Sequence, residues 1–233
     1  MTAWRDDMAQ HGMALRTRII KRQVMRKILL TTLSLWAAAS MAQSAGDIVL
    51  NQPDMKRGNS IMQTLADRHS TRECNGKALS AADLSDLLWA ANGVNRADGK
   101  RTAPSALNRQ DIDIYVVMES GAYLYDAKSH KLVLVAKGDH RGLVAGGQDF
   151  VRSFPVSLVM VSDLSRFGKT DDRTRLMAAV DAGAVSQNIS LFCSGCGLVT
   201  VPRASMDYDG LTKLLKLKPS QLLLMNNPVG YAK

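Results

Sequence analysis

The stretch PVSLVMVS at 155–162 limits the possible folds more than any other part of this chain. It is apolar almost throughout and rich in β-branched residues, which predicts a buried strand. A buried strand needs a sheet around it and helices to cover it. The longest helical pattern follows at once, over residues 172–195. There Leu176, Val180, Ala184, Ile189 and Leu191 supply apolar positions, and Ala178, Ala179, Ala182 and Gly183 are small enough for close packing.

The remaining elements fit around this pair. Residues 58–67 place Ile61, Met62 and Leu65 on one helical face. Ser80 and Asp83 form a capping-box pattern ahead of Leu84, Leu87, Leu88 and Ala91, and Gly93 closes that helix. DIDIYVVME at 111–119 reads as a strand, followed by a hairpin of AYLYDA and KLVLVA around Lys128, Ser129 and His130. Residues 140–152 read as helical, GLVTVP at 197–202 as a strand, and Leu211, Leu214 and Leu215 as a short helix. Leu222–Met225 is the last predicted strand, with Asn-Asn-Pro after it. Strands and helices do not alternate as regular βαβ units, so the expected class is α+β with a central mixed or antiparallel sheet flanked by helices.

Composition sets the outer limits. With 46% hydrophobic residues in 233, the chain can form an ordinary core, and three cysteines are too few for a disulfide scaffold. The apolar run Ile28–Ala39 follows Arg26 and Lys27 and precedes Ser40, Met41 and Ala42, the three-part pattern of a secretory signal. Cleavage is expected after Ala42, giving a periplasmic or secreted protein without a stable membrane span; retention as an anchor is the competing expectation. Met25 is a second possible start, ahead of a signal of normal length. The chain therefore divides into an N-terminal extension with signal (1–42), a leader without pattern (43–57) and a domain (58–233). Without residues 1–42, 23 basic residues face 19 acidic ones, and no basic run interleaves with aromatics, so nucleic acid is not an expected partner.

Three segments carry candidate chemistry. Arg68, His69, Ser70, Thr71 and Arg72 combine guanidinium forks and hydroxyls, a set suited to phosphate, or else to a solvated loop with a helix cap. Pro104, Ser105, Asn108 and Gln110 lie in the long polar loop 94–110 and offer donors and acceptors that suit a heterocycle's edge, or a turn that bonds its own backbone. Cys193 and Cys196 form a C-x-x-C that is either a bridge or two packed thiols, at the end of a helix rather than at the start where the dipole would lower a thiol's pKa. Cys74 is left over. His130 reads as solvated in its turn, and His140 as capping or lining a helix. No hydrolase, zincin or P-loop signature occurs, and no metal site is expected.

Taken in order, RHSTR (68–72), PSALNRQ (104–110), SQNISLFCSGCGLVTVP (186–202) and PVGYAK (228–233) resemble the FMN-dependent nitroreductase superfamily over residues 58–233. The stretch APSALNRQDIDIYVV is most similar to the thiazoline/oxazoline-dehydrogenase-like branch. The resemblance implies an intertwined homodimer with two FMN sites at its interface. It assigns Arg68, Ser70 and Arg72 to the phosphate and ribityl side, with His69 beside them. It brings Pro104, Ser105, Asn108 and Gln110 to the isoalloxazine, from the same or the partner subunit, and places backbone of Gly197, Leu198 and Thr200 near the reactive edge. Lys233 would reach the phosphate. Arg68 would stabilise the reduced ring, and with Asn108 carries the catalytic assignment. The implied activity is ping-pong hydride or electron transfer through flavin N5, with a small organic substrate and an unidentified donor, NAD(P)H if the protein is cytoplasmic. A flavin-binding electron relay without turnover is the alternative.

Overall fold

A computed structural model describes residues 46–233. The signal, its cleavage point and both candidate starts lie outside the described residues. The seven strands are β1 (Ile48–Val49), β2 (Ile112–Met118), β3 (Gly121–Asp126), β4 (Lys131–Lys137), β5 (Val156–Asp163), β6 (Leu198–Thr200) and β7 (Gln221–Tyr231). They form one sheet in the order β1-β4-β3-β2-β5-β7-β6, with every neighbouring pair antiparallel. The helices are α1 (Ile61–Asp67), α2 (Ala81–Asn92), α3 (Arg141–Ala145), α4 (Asp172–Gly195) and α5 (Tyr208–Leu214). The class is α+β.

Strand β5 is the sheet's spine, bonded to β2 on one side and β7 on the other. It is apolar on consecutive residues because both faces are covered. Val156, Leu158 and Met160 join Ile112, Ile114 and Val116 in a core with Leu87 and Leu88 of α2 and Val185 and Ile189 of α4. Val159 and Val161 point the other way, with Val117, Val144 of α3 and Leu211 of α5. The period of two along each strand thus distributes side chains between two cores.

Helix α4 spans the residues expected of it, but its buried face differs. Thr174, Ala178, Asp181, Ala182, Val185, Ser186, Ile189, Ser190 and Cys193 face inward, while Leu176 and Val180 are 65% and 64% exposed. The small residues share the inner face with Val185 and Ile189, while Leu176 and Val180 stay outside. Although α4 is long and apolar enough to cross a bilayer, it is the central packing helix of this domain. Helix α1 shows the same inversion. Thr64 is buried, and Ile61, Met62 and Leu65 are exposed. Thr64 is held against the end of α4, where Ser194 Oγ donates to its carbonyl at 2.9 Å.

Other expectations change in detail. Segment 43–57 is not patternless: it contributes β1 and buried Leu50, and Arg57 pairs with Asp83 and Asp86 of α2 while lying 5.5 Å from the Phe192 ring centroid. Ser80 does cap α2, but its own N–H bonds the Tyr231 hydroxyl, at 3.0 Å, instead of the Asp83 carboxylate. His130 is not simply solvated, since its Nδ1 lies 2.9 Å from the Tyr125 hydroxyl. His140 precedes α3 without a side-chain cap bond, and its Nε2 lies 2.9 Å from the Lys137 carbonyl. Residues 140–152 divide into α3 and a 3-10 turn (Asp149–Ser153), separated by Gly146 and Gly147 at positive φ. Strand β7 runs on through Asn226, Asn227 and Pro228 because both amides are buried with partners. Asn227 Oδ1 accepts from Ser186 at 2.8 Å, and Asn226 Oδ1 from Arg203 at 2.8 Å.

Arg203 ties the second core together. It is buried, and among the described residues no carboxylate pairs with it. Its guanidinium donates to the Val144 and Ala145 carbonyls at 3.1 and 2.9 Å, to Asn226 Oδ1, and to Gln148 Oε1 at 2.9 Å. The first two are carbonyls at the end of α3, which lack partners within the helix. Arg203→Ala should lower unfolding free energy by roughly 3 kcal/mol, because several buried acceptors lose their donor; urea denaturation measures this.

Candidate active site

Three segments meet at the C-terminal end of α4. The helix stops at Gly195, and Gly197 turns the chain into β6 at φ +74°, a conformation L side chains rarely adopt. The loop after α1 then runs beside β6: Thr71 N–H donates to the Thr200 carbonyl at 2.9 Å and Asn75 N–H to the Tyr231 carbonyl at 3.1 Å. The chain end joins them through Lys233 Nζ, 2.8 Å from Glu73 Oε2. This pairing holds the Glu73 carboxyl below its usual range.

Arg68, His69, Ser70, Arg72, Leu198, Thr200 and Lys233 thus belong to segments that meet at the C-terminal end of α4. Arg68 is half-buried, and His69, Ser70 and Arg72 are exposed. Among the described residues neither Arg68 nor Arg72 has a carboxylate within 4.0 Å. His69 Nδ1 lies 2.7 Å from the Asp67 carbonyl, so that nitrogen carries the proton. Beneath the loop is a crevice of about 120 Å³ lined by His69, Thr71, Ser190, Cys193, Leu198 and Thr200. Ligand pockets commonly measure roughly 300–1,000 Å³, so this crevice is one wall of a binding site rather than a whole one.

The second group sits elsewhere. Ser105 precedes a 3-10 turn (Ala106–Asn108) whose first N–H is held by both carboxylate oxygens of Asp181, at 2.8 and 3.0 Å. Leu107, Asn108 and Gln110 all have φ near +50°, at 53°, 53° and 49°. Non-glycine residues in that region cost on the order of 1 kcal/mol or more each, and such strain gathers at functional sites. The loop bonds itself and its neighbours: Ser105 Oγ accepts from Gln110 N–H at 2.9 Å, Arg101 Nε donates to Gln110 Oε1 at 3.1 Å, and Arg166 donates to the Gln110 carbonyl. Asp181 lies about 13 residues before Ser194 on α4, which is about 20 Å at the helical rise. One chain therefore holds its two candidate groups well apart. Leu107 is 77% exposed at the loop's tip.

The cysteines are unpaired. Burial pushes the Cys193 thiol up, out of reach of ionisation, and raises Cys196 as well although Arg57 pulls it the other way. Cys196 lines a separate groove of about 370 Å³ with Arg57, Trp89 and Phe192. Among the described residues no group of acidic, histidine or cysteine side chains forms a metal site.

The profile of the nitroreductase family matches residues 65–231. The chain belongs to the nitroreductase family. It is 32% identical over 180 residues to a protein of Methanocaldococcus jannaschii named as a candidate nitroreductase, covering 73% of this chain and 90% of that one. A crystal structure of a candidate nitroreductase from Ralstonia eutropha JMP134 is 36% identical, covers 83% of this chain and 92% of that chain, and superposes with a TM-score of 0.76. The fold is also similar to NADPH:FMN oxidoreductase from Vibrio harveyi, at 20% identity, 75% and 70% coverage and TM-score 0.57. Membership of the nitroreductases makes the protein an oxidoreductase.

The residues present suit the flavin that a nitroreductase implies. Two guanidiniums with no carboxylate partner among the described residues suit an anionic tail, and a rigid loop rich in amides suits a ring edge. Four positioning residues were not foreseen: Asp111, Asp181, Arg101 and Arg166. Asp181 could have been found, because a carboxylate among Ala178, Ala182 and Val185 on one helical face must be buried with a partner. Arg166 also grips half-buried Asp113, at 2.8 and 2.7 Å, yet desolvation keeps Asp113 above the usual carboxylate range. Arg166→Ala should lower unfolding free energy by about 2 kcal/mol and speed trypsin cleavage at exposed Arg109; urea titration and timed digestion check the two effects.

Proposed function

We propose that this nitroreductase is an FMN-dependent oxidoreductase that works as a homodimer, each flavin site using the 68–72 segment of one protomer and the 104–110 loop of its partner. The observation that carries this is that on one chain the two groups stand at different parts of α4, the 104–110 loop on Asp181 and the 68–72 segment beside β6, while Ile61, Met62 and Leu65 of α1 and Leu176 and Val180 of α4 are exposed. Large apolar side chains left exposed together mark an interaction face. A twofold axis there would bring unlike ends of two copies together.

In this reading Arg72, Arg68 and Ser70 bind the phosphate and ribityl chain, Lys233 adds charge once released from Glu73, and His69 lies beside them. Bound FMN would supply two-electron chemistry at N5, taking hydride from a donor and passing electrons to an acceptor. The protein's part is to hold the ring and keep donors, Arg68 foremost, near the edge where negative charge gathers. Pro104, Ser105, Asn108 and Gln110 orient the ring, and the turn at Gly197, Leu198 and Thr200 leaves backbone for its reactive edge. A small organic molecule is the expected substrate. The stretch 103–117 supports a place in the thiazoline/oxazoline-dehydrogenase-like branch, and the pattern at 26–42 supports export to the cell envelope with a donor other than freely available NAD(P)H.

Arg72→Ala should weaken FMN binding about 30-fold, equivalent to ~2 kcal/mol for one charge-assisted contact; fluorescence titration of the purified protein reads it, and an unchanged Kd removes Arg72 from the site. Leu176→Asp should shift the protein from dimer to monomer in sedimentation and cost flavin affinity in parallel. A Leu176→Asp protein that sediments as wild type would remove that face from the interface.

A further inference from the structure

Asp111, just before β2, is fully buried. Its Oδ2 accepts from Ser162 Oγ at 2.5 Å, but Oδ1 has no donor among the described residues. The group it meets is the carboxylate of Asp181, itself 5% exposed. Two facing carboxylates offer only acceptors, and a buried pair of like charges is costly unless a proton turns one of them into a donor. The same Asp181 holds Ala106 N–H with both oxygens. We infer that Asp111 and Asp181 share a proton, and that this proton positions the 104–110 loop by keeping Asp181 on Ala106.

The surroundings leave the proton as the available neutraliser. Arg166, after β5, binds Asp113 and the Gln110 carbonyl. Arg101 donates to the Asn92 carbonyl and Gln110 Oε1, and Arg109 is exposed. Asp113 and Asp163 on β2 and β5 are further acids, and Ser186 and Asn227, between α4 and β7, are neutral and bonded to each other. Among the described residues no Lys, Arg or His lies within 4.0 Å of Asp111 or Asp181. Burial pushes Asp111 up to about 6; the Ser162 hydroxyl opposes this and the facing Asp181 adds to it.

The loop can respond because it is strained. With three non-glycine residues at positive φ, it keeps its shape through outside anchors, and Asp181 is one of them. Below the midpoint the protonated Asp111 donates to Asp181, which stays on Ala106. Above it, repulsion drives the two carboxylates apart and Ala106 loses its acceptor. The consequence for flavin rests on the reading of the loop given under Proposed function: FMN affinity should fall roughly fivefold across the midpoint, the scale of one hydrogen bond.

The test follows the Ala106 amide of the ¹⁵N-labelled full-length protein by NMR, with FMN titrations at the same pH values. The wild-type resonance should show an inflection near pH 6. Asp111→Asn should abolish it and hold the amide at its low-pH position, because the new NH₂ donates to Asp181 at every pH. Ser162→Ala should move the inflection upward, since it removes a donor to the anionic form. A flat wild-type resonance, or an identical inflection in Asp111→Asn, overturns the pair. If Asp111→Asn does not fold, an unmoved midpoint in Ser162→Ala does so. A flavin-binding protein with a flat Ala106 resonance contradicts the pair alone, whereas a titrating Ala106 in a protein that never takes up FMN supports the pair and contradicts the proposed cofactor.

Discussion

Helix α4 packs on the sheet through an inner face in which the small residues Ala178, Ala182, Ser186 and Ser190 alternate with Val185 and Ile189. Small polar residues there need partners, and they have them. Ser190 donates to the Ser186 carbonyl, and Ser186 to Asn227 of β7. That packing decides where both candidate groups stand. It delivers Gly197 and β6 at one end of the helix, and Asp181 under the 104–110 loop towards the other. Leu176 and Val180 of the same helix face outward.

The two ends differ in how they are held. The 68–72 segment is tied to β6 by the Thr71–Thr200 backbone hydrogen bond, and among the described residues its guanidiniums have no carboxylate partner, as an anion site requires. The 104–110 loop is the reverse: its Ser105 and Gln110 side chains are engaged, its backbone is strained, and three buried or half-buried charged residues (Asp181, Arg101 and Arg166) keep it in place. Rigid backbone with loose cations suits a flexible phosphate tail. Rigid polar edges suit a flat ring.

Most elements were legible in the sequence because local pattern and burial agree in them. PVSLVMVS, DIDIYVVME and the Ser80 cap each report their own structure. The boundaries of α4 were equally legible, since Asp171 caps its start and Cys196 and Gly197 end it. Its orientation was not. Leu176 and Val180 look like core residues by hydropathy, and only tertiary packing decides that serines and alanines go inside. Strand β7 was read too short for the same reason: Asn226 and Asn227 look like a turn until Arg203 and Ser186 supply their partners. In the site, the residue types were visible, but their separation along α4 and the supporting acids were not, because both depend on contacts between residues 50 or more positions apart.

The claim that most needs testing is that one flavin site draws on two chains. Subunit complementation tests it directly. Arg72→Ala and Asn108→Leu proteins, each weak in FMN binding alone, are co-expressed with different tags and the mixed dimers isolated. If the sites are shared, a mixed dimer has one site carrying both substitutions and one carrying neither, so it should bind one FMN per two chains with wild-type affinity. Mixed dimers in which every site binds as weakly as in the parents would show that both segments serve the same protomer, and would contradict the account.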